Sequence, residues 1–213
     1  ETDNGLIQYC ESYANQTTNG NDGGGFDLDG GCVNCCMQYN YSHDNHGAGY
    51  LMAQFNGAGP MLDNVIRYNV SENDGLKNSY GAIFFWSGDD DPVQNTTIHG
   101  NTLYTDKSKA VGAGTPSCVR LLNGDMSGNR LYNNIFVARN GAKLVSIKTS
   151  TNGFELKNNA YWTQGDALVL EWGTNTYSSV TAWRTGSGQE MLDGQPVGLQ
   201  CDPLLMDPGN GGI

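Results

Sequence analysis

The sequence predicts an all-β chain wound as a right-handed parallel β-helix, a solenoid of about six to seven coils with an asparagine ladder. Three observations carry this prediction. A short unit recurs at coil-length spacing, an asparagine holds a fixed place within it, and an alternating stretch follows each copy.

The units begin at Ile7, Met37, Ile66, Ile98, Leu131 and Leu156, separated by 30, 29, 32, 33 and 25 residues. Three places after each apolar leader stand Cys10, Asn40, Asn69, Asn101, Asn134 and Asn159. Self-similarity at such a period marks a solenoid. The leucine density of leucine-rich repeats and the 3.6-residue period of helical repeats are both missing. Short alternating stretches divided by Gly, Asn and Asp are the pattern of β-coils. Asparagines stacked at one turn position would bond the backbone and one another along the axis, which buries Asn40 and Asn69.

The second stretch of each unit falls at residues 25–29, 49–53, 82–86, 118–122, 144–148 and 168–172. Period-two alternation sends Phe26, Leu28, Tyr50, Met52, Ile83, Phe85, Val119 and Leu121 inward. The outward face then carries Asp27, Asp29, Leu51, Ala53, Phe84, Trp86, Arg120 and Leu122. The fifth and sixth stretches are almost continuously apolar, so alternation leaves their register open. Long loops at residues 15–24, 89–94 and 105–117 are expected to wall a groove. Residues 1–174 read as coils and residues 175–213 as an irregular arm of the same domain, with a turn of helix around Trp183. Neither end carries a polar cap, and the expectation is that the chain belongs to a longer precursor and is otherwise monomeric.

Composition narrows the partners. With 22 acidic and 11 basic residues the formal charge is −11. Such a field repels nucleic acid and anionic membranes but does not penalise uncharged glycans. No run of apolar residues is long enough to span a membrane. Six cysteines permit up to three disulfides, and the adjacency of Cys35 and Cys36 argues against a zinc site. Sequons at Asn15, Asn40, Asn69 and Asn95 join the even cysteine count in favouring a secreted, extracellular chain. With Asn40 and Asn69 in the ladder, Asn15 and Asn95 are the expected glycosylation sites.

The stretch from Gly24-Gly25-Phe26-Asp27-Leu28-Asp29-Gly30-Gly31 through Tyr39-Asn40-Tyr41-Ser42-His43-Asp44-Asn45-His46-Gly47-Ala48-Gly49 resembles the extracellular parallel β-helix repeat proteins of the pectate-lyase-like superfamily. The tail Asp202-Pro203-Leu204-Leu205-Met206-Asp207-Pro208 is similar to the close of the same proteins. The resemblance spans roughly residues 5 to 208 and concerns architecture more than any one enzyme family. It implies a polysaccharide-active protein, either a lyase of uronate polymers or a glycoside hydrolase.

Candidate site residues follow. Asp27 and Asp29 share a face of one strand, about 6.5–7 Å apart, the short edge of an inverting acid–base pair. They could instead help hold Ca²⁺, or be two solvated acids beside a turn. His43 and Asp44 form an acid–base candidate, with His46 beside them, or simply turn chemistry. Trp86 and Phe84 offer stacking platforms for sugar rings, with the acidic run at residues 89–91 beside Trp86. Arg120 and Lys148 would bind a uronate carboxylate, or pair with neighbouring acids. Glycosidic hydrolysis by Asp27 and Asp29 is the leading expectation, with no required cofactor. A non-catalytic glycan-binding solenoid and a calcium-assisted lyase are the alternatives.

Overall fold

The computed structural model describes residues 1–18, 20–88 and 91–211. Its organising feature is a left-handed corner repeated in every unit. The residue before each ladder position has positive φ: +55° at Tyr9, +54° at Tyr39, +55° at Tyr68, +66° at Gly100, +56° at Asn133 and +59° at Asn158. For a non-glycine residue this conformation costs roughly 1–2 kcal/mol. The asparagine that follows offsets that cost with hydrogen bonds.

Asn69 Oδ1 accepts from both the backbone N–H and the Nδ2 of Asn40, at 2.9 and 3.1 Å. The same double acceptance joins Asn69 to Asn101, Asn101 to Asn134 and Asn134 to Asn159. Each Nδ2 also donates to a main-chain carbonyl, as Asn101 does to Ile66. The ladder is therefore satisfied along its length, and its members are buried. Asn40 and Asn69 are inaccessible, as their ladder role requires, whereas Asn15 and Asn95 are exposed.

The corners divide the repeated part of the chain into four sheets, and Met191–Leu192 and Gln195–Pro196 form a fifth, two-stranded antiparallel sheet. The first contains Thr2–Asp3, Cys32–Val33, Met61–Leu62, Val93–Gln94 and Met126–Ser127. The second runs Leu6–Gln8, Cys36–Gln38, Val65–Arg67, Thr97–His99, Asn129–Tyr132 and Phe154–Lys157. Beyond the ladder corner, the third runs Glu11–Tyr13, Tyr41–His43, Val70–Glu72, Thr102–Asp106, Ile135–Arg139, Ala160–Thr163 and Leu199–Gln200. The fourth carries Phe26–Asp29, Tyr50–Gln54, Gly81–Ser87, Ser117–Leu121, Lys143–Ile147 and Leu170–Trp172. Pairing is parallel throughout these rows. Asn175–Tyr177 closes the fourth sheet with the one antiparallel pairing there. This all-β, multi-sheet parallel architecture is consistent with a parallel β-solenoid.

Register in the fourth sheet matches the alternation read from sequence. Phe26, Tyr50, Ile83, Val119, Val145 and Leu170 align across it, as do Leu28, Met52, Phe85 and Leu121. All are core residues. The intervening outward column is Asp27, Leu51, Phe84, Arg120, Ser146 and Glu171, which settles the fifth and sixth registers.

The expected helical turn is the α-helix Val180–Ser187, capped by the Ser179 hydroxyl and by left-handed Gly188, with Trp183 fully buried. The tail lies on the third sheet, where Glu72 accepts the backbone N–H groups of Gly209 and Gly211.

The disulfide expectation is not met, because all six cysteines are free thiols. The Cys32 and Cys35 thiols are neighbours without a bond between them, and the others are set apart. Cys32 and Cys36 belong to different sheets, and Cys10 follows the first strand of the second sheet. Cys118 is enclosed in the core, where its thiol donates to the carbonyls of Leu103 and Val137. Burial pushes that thiol far above its ordinary value.

Candidate functional site

The strand Phe26–Asp29 alternates buried and exposed, so Asp27 and Asp29 stand on the outer face while Phe26 and Leu28 anchor them in the core. A cleft of about 480 Å³ opens over this face. Its floor is Leu51, Ala53 and Phe84, and Trp86 and Leu122 border it. Gly20, Asn21 and Asp22 of the loop 15–24 form one wall, and Tyr80 completes the lining.

That wall is tied down by residues of the neighbouring unit. Lys77 Nζ donates to the carbonyls of Thr17 and Thr18 at 2.7 and 2.9 Å, and Asn78 Nδ2 to Gly20 at 3.2 Å. His46 Nδ1 accepts the backbone N–H of Thr17 at 3.2 Å. His46 thus holds the wall from behind rather than facing the cleft. Of the other predicted wall segments, residues 105–117 do not line this cleft. Asp89 and Asp90 lie outside the described residues, and Asp91 Oδ2 accepts from the Gly57 N–H at 3.1 Å.

Electrostatics sets the two strand carboxyls apart. Asp27 is exposed to solvent, yet it lines the cleft. Burial, then the Asp29 and Asp22 carboxylates, raise its pKa from 3.8 to about 7. Asp29 is also raised, by partial burial and by Asp22, while the α-amino group of Glu1 opposes the rise. One strand therefore presents a carboxyl that keeps its proton near neutrality beside a more solvated one. Such a pair can donate a proton at one point and accept one nearby.

The other predicted residues fall elsewhere. His43 and Asp44 lie at the third sheet, not over the Asp27 strand, and neither lines the cleft. The His43 ring stacks on Tyr13 at 4.8 Å and on Tyr41 at 4.5 Å. Its Nδ1 meets Asp44 at 2.9 Å and its Nε2 meets Glu11 at 3.2 Å. Partial burial lowers the His43 pKa, but the bonds to Asp44 and Glu11 outweigh it and leave the net shift upward.

Phe84 points outward in register but is only 4% exposed, because the Tyr80 ring packs on it at 4.5 Å. It is floor rather than an open platform, and Trp86 keeps the half-exposed position. Arg120 sits in the Asp27 column, yet its Nη1 donates to the Ser79 carbonyl. Lys148 pairs with Glu171 at 3.2 Å, and Lys143 pairs with the same carboxylate at 2.9 Å. The uronate clamp expected of Arg120 and Lys148 is thus committed to protein partners, the commoner fate of cations in an acidic chain.

Sequence reasoning missed Asp22 and Tyr80. The loop containing Asp22 was legible as a wall, but nothing in its spacing says which side chain turns inward. Among the described residues, no group of three or more His, Cys, Asp or Glu side chains is gathered closely enough to hold a metal ion. No helix among the described residues is long and apolar enough to cross a membrane. Comparison with protein-family models, with curated proteins and with solved structures returns no match.

Proposed function

We propose that this chain is a secreted, polysaccharide-active β-helix of pectate-lyase-like architecture that hydrolyses glycosidic bonds in the cleft over Asp27 and Asp29. The observation that carries this reading is the carboxyl pair on one strand lining an aromatic-bordered cleft, with the Asp27 pKa raised to about 7. Asp27 gives its proton to the leaving glycosidic oxygen as the carbon–oxygen bond breaks. Asp29 takes a proton from the water that attacks the anomeric carbon, so the products are one free reducing end and one free hydroxyl. Trp86 supplies a surface for the apolar face of a sugar ring.

Hydrolysis is favoured over elimination because a lyase needs a free basic group at the site. Arg120 is spent on Ser79, and Lys143 and Lys148 on Glu171. The exposed sequons at Asn15 and Asn95 support the extracellular assignment.

The test is a panel of neutral and uronate polysaccharides, with the wild type and the Asp27→Asn/Asp29→Asn double variant side by side. New reducing ends without ultraviolet absorbance, lost in the double variant, support hydrolysis by the pair. Absorbance from unsaturated uronates that depends on added calcium would replace it with a lyase. Binding without cleavage would leave a non-catalytic glycan-binding solenoid.

A further inference from the structure

The charge inventory of the cleft is one-sided. Three carboxyl side chains, Asp22, Asp27 and Asp29, line it, and no Lys, Arg or His does so among the described residues. The nearby cations lie outside the lining: Arg120 and Lys77 keep their charge but are held on main-chain carbonyls of Ser79 and of Thr17 and Thr18, and Lys143 and Lys148 are paired with Glu171. The α-amino group of Glu1 acts on Asp29 from outside the lining. The lining also includes the apolar side chains of Leu51, Trp86 and Leu122.

From this arrangement we infer that the cleft selects neutral glycans and rejects uronate polymers. The inference rests on the proposal above that the cleft binds a polysaccharide, and adds the substrate class. A sugar hydroxyl donates to a carboxylate, and Asp22 and Asp29, with the carbonyl oxygen of the Asp27 carboxyl, provide acceptors for several hydroxyls of one glycan. The apolar face of a neutral pyranose packs on Trp86 and Leu122. A uronate carboxylate in the same place has no donor fork to receive it. It meets like charge inside a partly enclosed space, where screening is weaker than at the open surface. Rejection is then built from repulsion, and preference from apolar contact and hydroxyl donation.

The test is calorimetric titration of the intact chain at low temperature in chelator. The probes are oligosaccharides of glucose, xylose and mannose, against oligomers of galacturonate and mannuronate. At least one neutral oligosaccharide is expected to bind about tenfold or more tighter than any uronate oligomer. Leu122→Arg places a cation at the exposed rim, and Asp22→Asn removes one acid from the wall. Each should shift the ratio toward uronates by about threefold to tenfold. Uronate binding equal to or tighter than neutral binding in the wild type, with chelator or with calcium restored, overturns the selectivity while leaving a glycan-binding cleft. Failure of both classes to bind overturns the polysaccharide reading itself.

Discussion

Glu190 ends the asparagine ladder: its Oε1 accepts from Asn159 Nδ2 at 2.8 Å and from the Tyr161 hydroxyl at 2.7 Å. The side chain is fully buried, and burial raises its pKa against the bonds from Asn159 and Tyr161 that favour the carboxylate. Glu190→Ala leaves the Asn159 N–H and Nδ2 and the Tyr161 hydroxyl without this acceptor and should destabilise the chain by about 2–4 kcal/mol. Glu190→Gln keeps one acceptor and should cost less than half of that. Urea unfolding followed by fluorescence distinguishes the two, and equal stabilities of wild type and Glu190→Ala would deny the cap its role.

A second buried acid gives a pH signature. Asp74 takes the place of an asparagine in a shorter stack, accepting from Asn45 Nδ2 at 2.8 Å and from Ser71 Oγ at 2.6 Å. Burial raises its pKa from 3.8 to about 6, against the hydrogen bonds that oppose it. Between these values the native state holds more protons than the unfolded chain. This contribution is therefore fully present below pH 3.8 and is lost as pH rises through about 6. The loss amounts to roughly 3 kcal/mol. Asp74→Asn continues the stack with a neutral amide. It should flatten stability over that window and leave the variant more stable than the wild type at pH 8. Parallel pH–stability curves for the two proteins would refute this.

The thiols give a chemical check on the fold. Cys10 and Cys201 are exposed, Cys32 and Cys35 are buried, and Cys118 is buried in the core. With no reductant present, a thiol reagent should titrate six groups in denaturant. In the native protein Cys10 and Cys201 should react first, and Cys118 only on unfolding. Fewer than six thiols in the denatured, unreduced chain would restore a disulfide.

The ladder and the inward columns were readable because both depend on axial repetition, which sequence spacing records directly. Angular position around the coil is different. His43 lies seven residues before Tyr50, yet the bend between them carries the chain from the third sheet to the fourth, so nearness in sequence did not place it over Asp27. The fate of Phe84 turned on Tyr80, and that of Arg120 on the Ser79 carbonyl, both from one loop whose path has no repeat. The cysteines misled for the opposite reason. Their even number is a statement about pairs, whereas Cys10 occupies a ladder place, its N–H donating to Asn40 Oδ1 at 3.1 Å. Cys35 likewise sits in the first-to-second sheet corner, its N–H donating to Asn64 Oδ1 at 2.9 Å.

The proposed hydrolysis depends on a proton held on Asp27 near neutrality, ready for a glycosidic oxygen. Carboxyl-carbon NMR titration of the wild type and of Asp27→Asn tests it without a known substrate. An aspartate that titrates at about 7 in the wild type and is missing from the variant is expected, while the Asp74 resonance near 6 persists in both. A wild-type spectrum in which Asp27 titrates like a free aspartate, near 3.8, would contradict it.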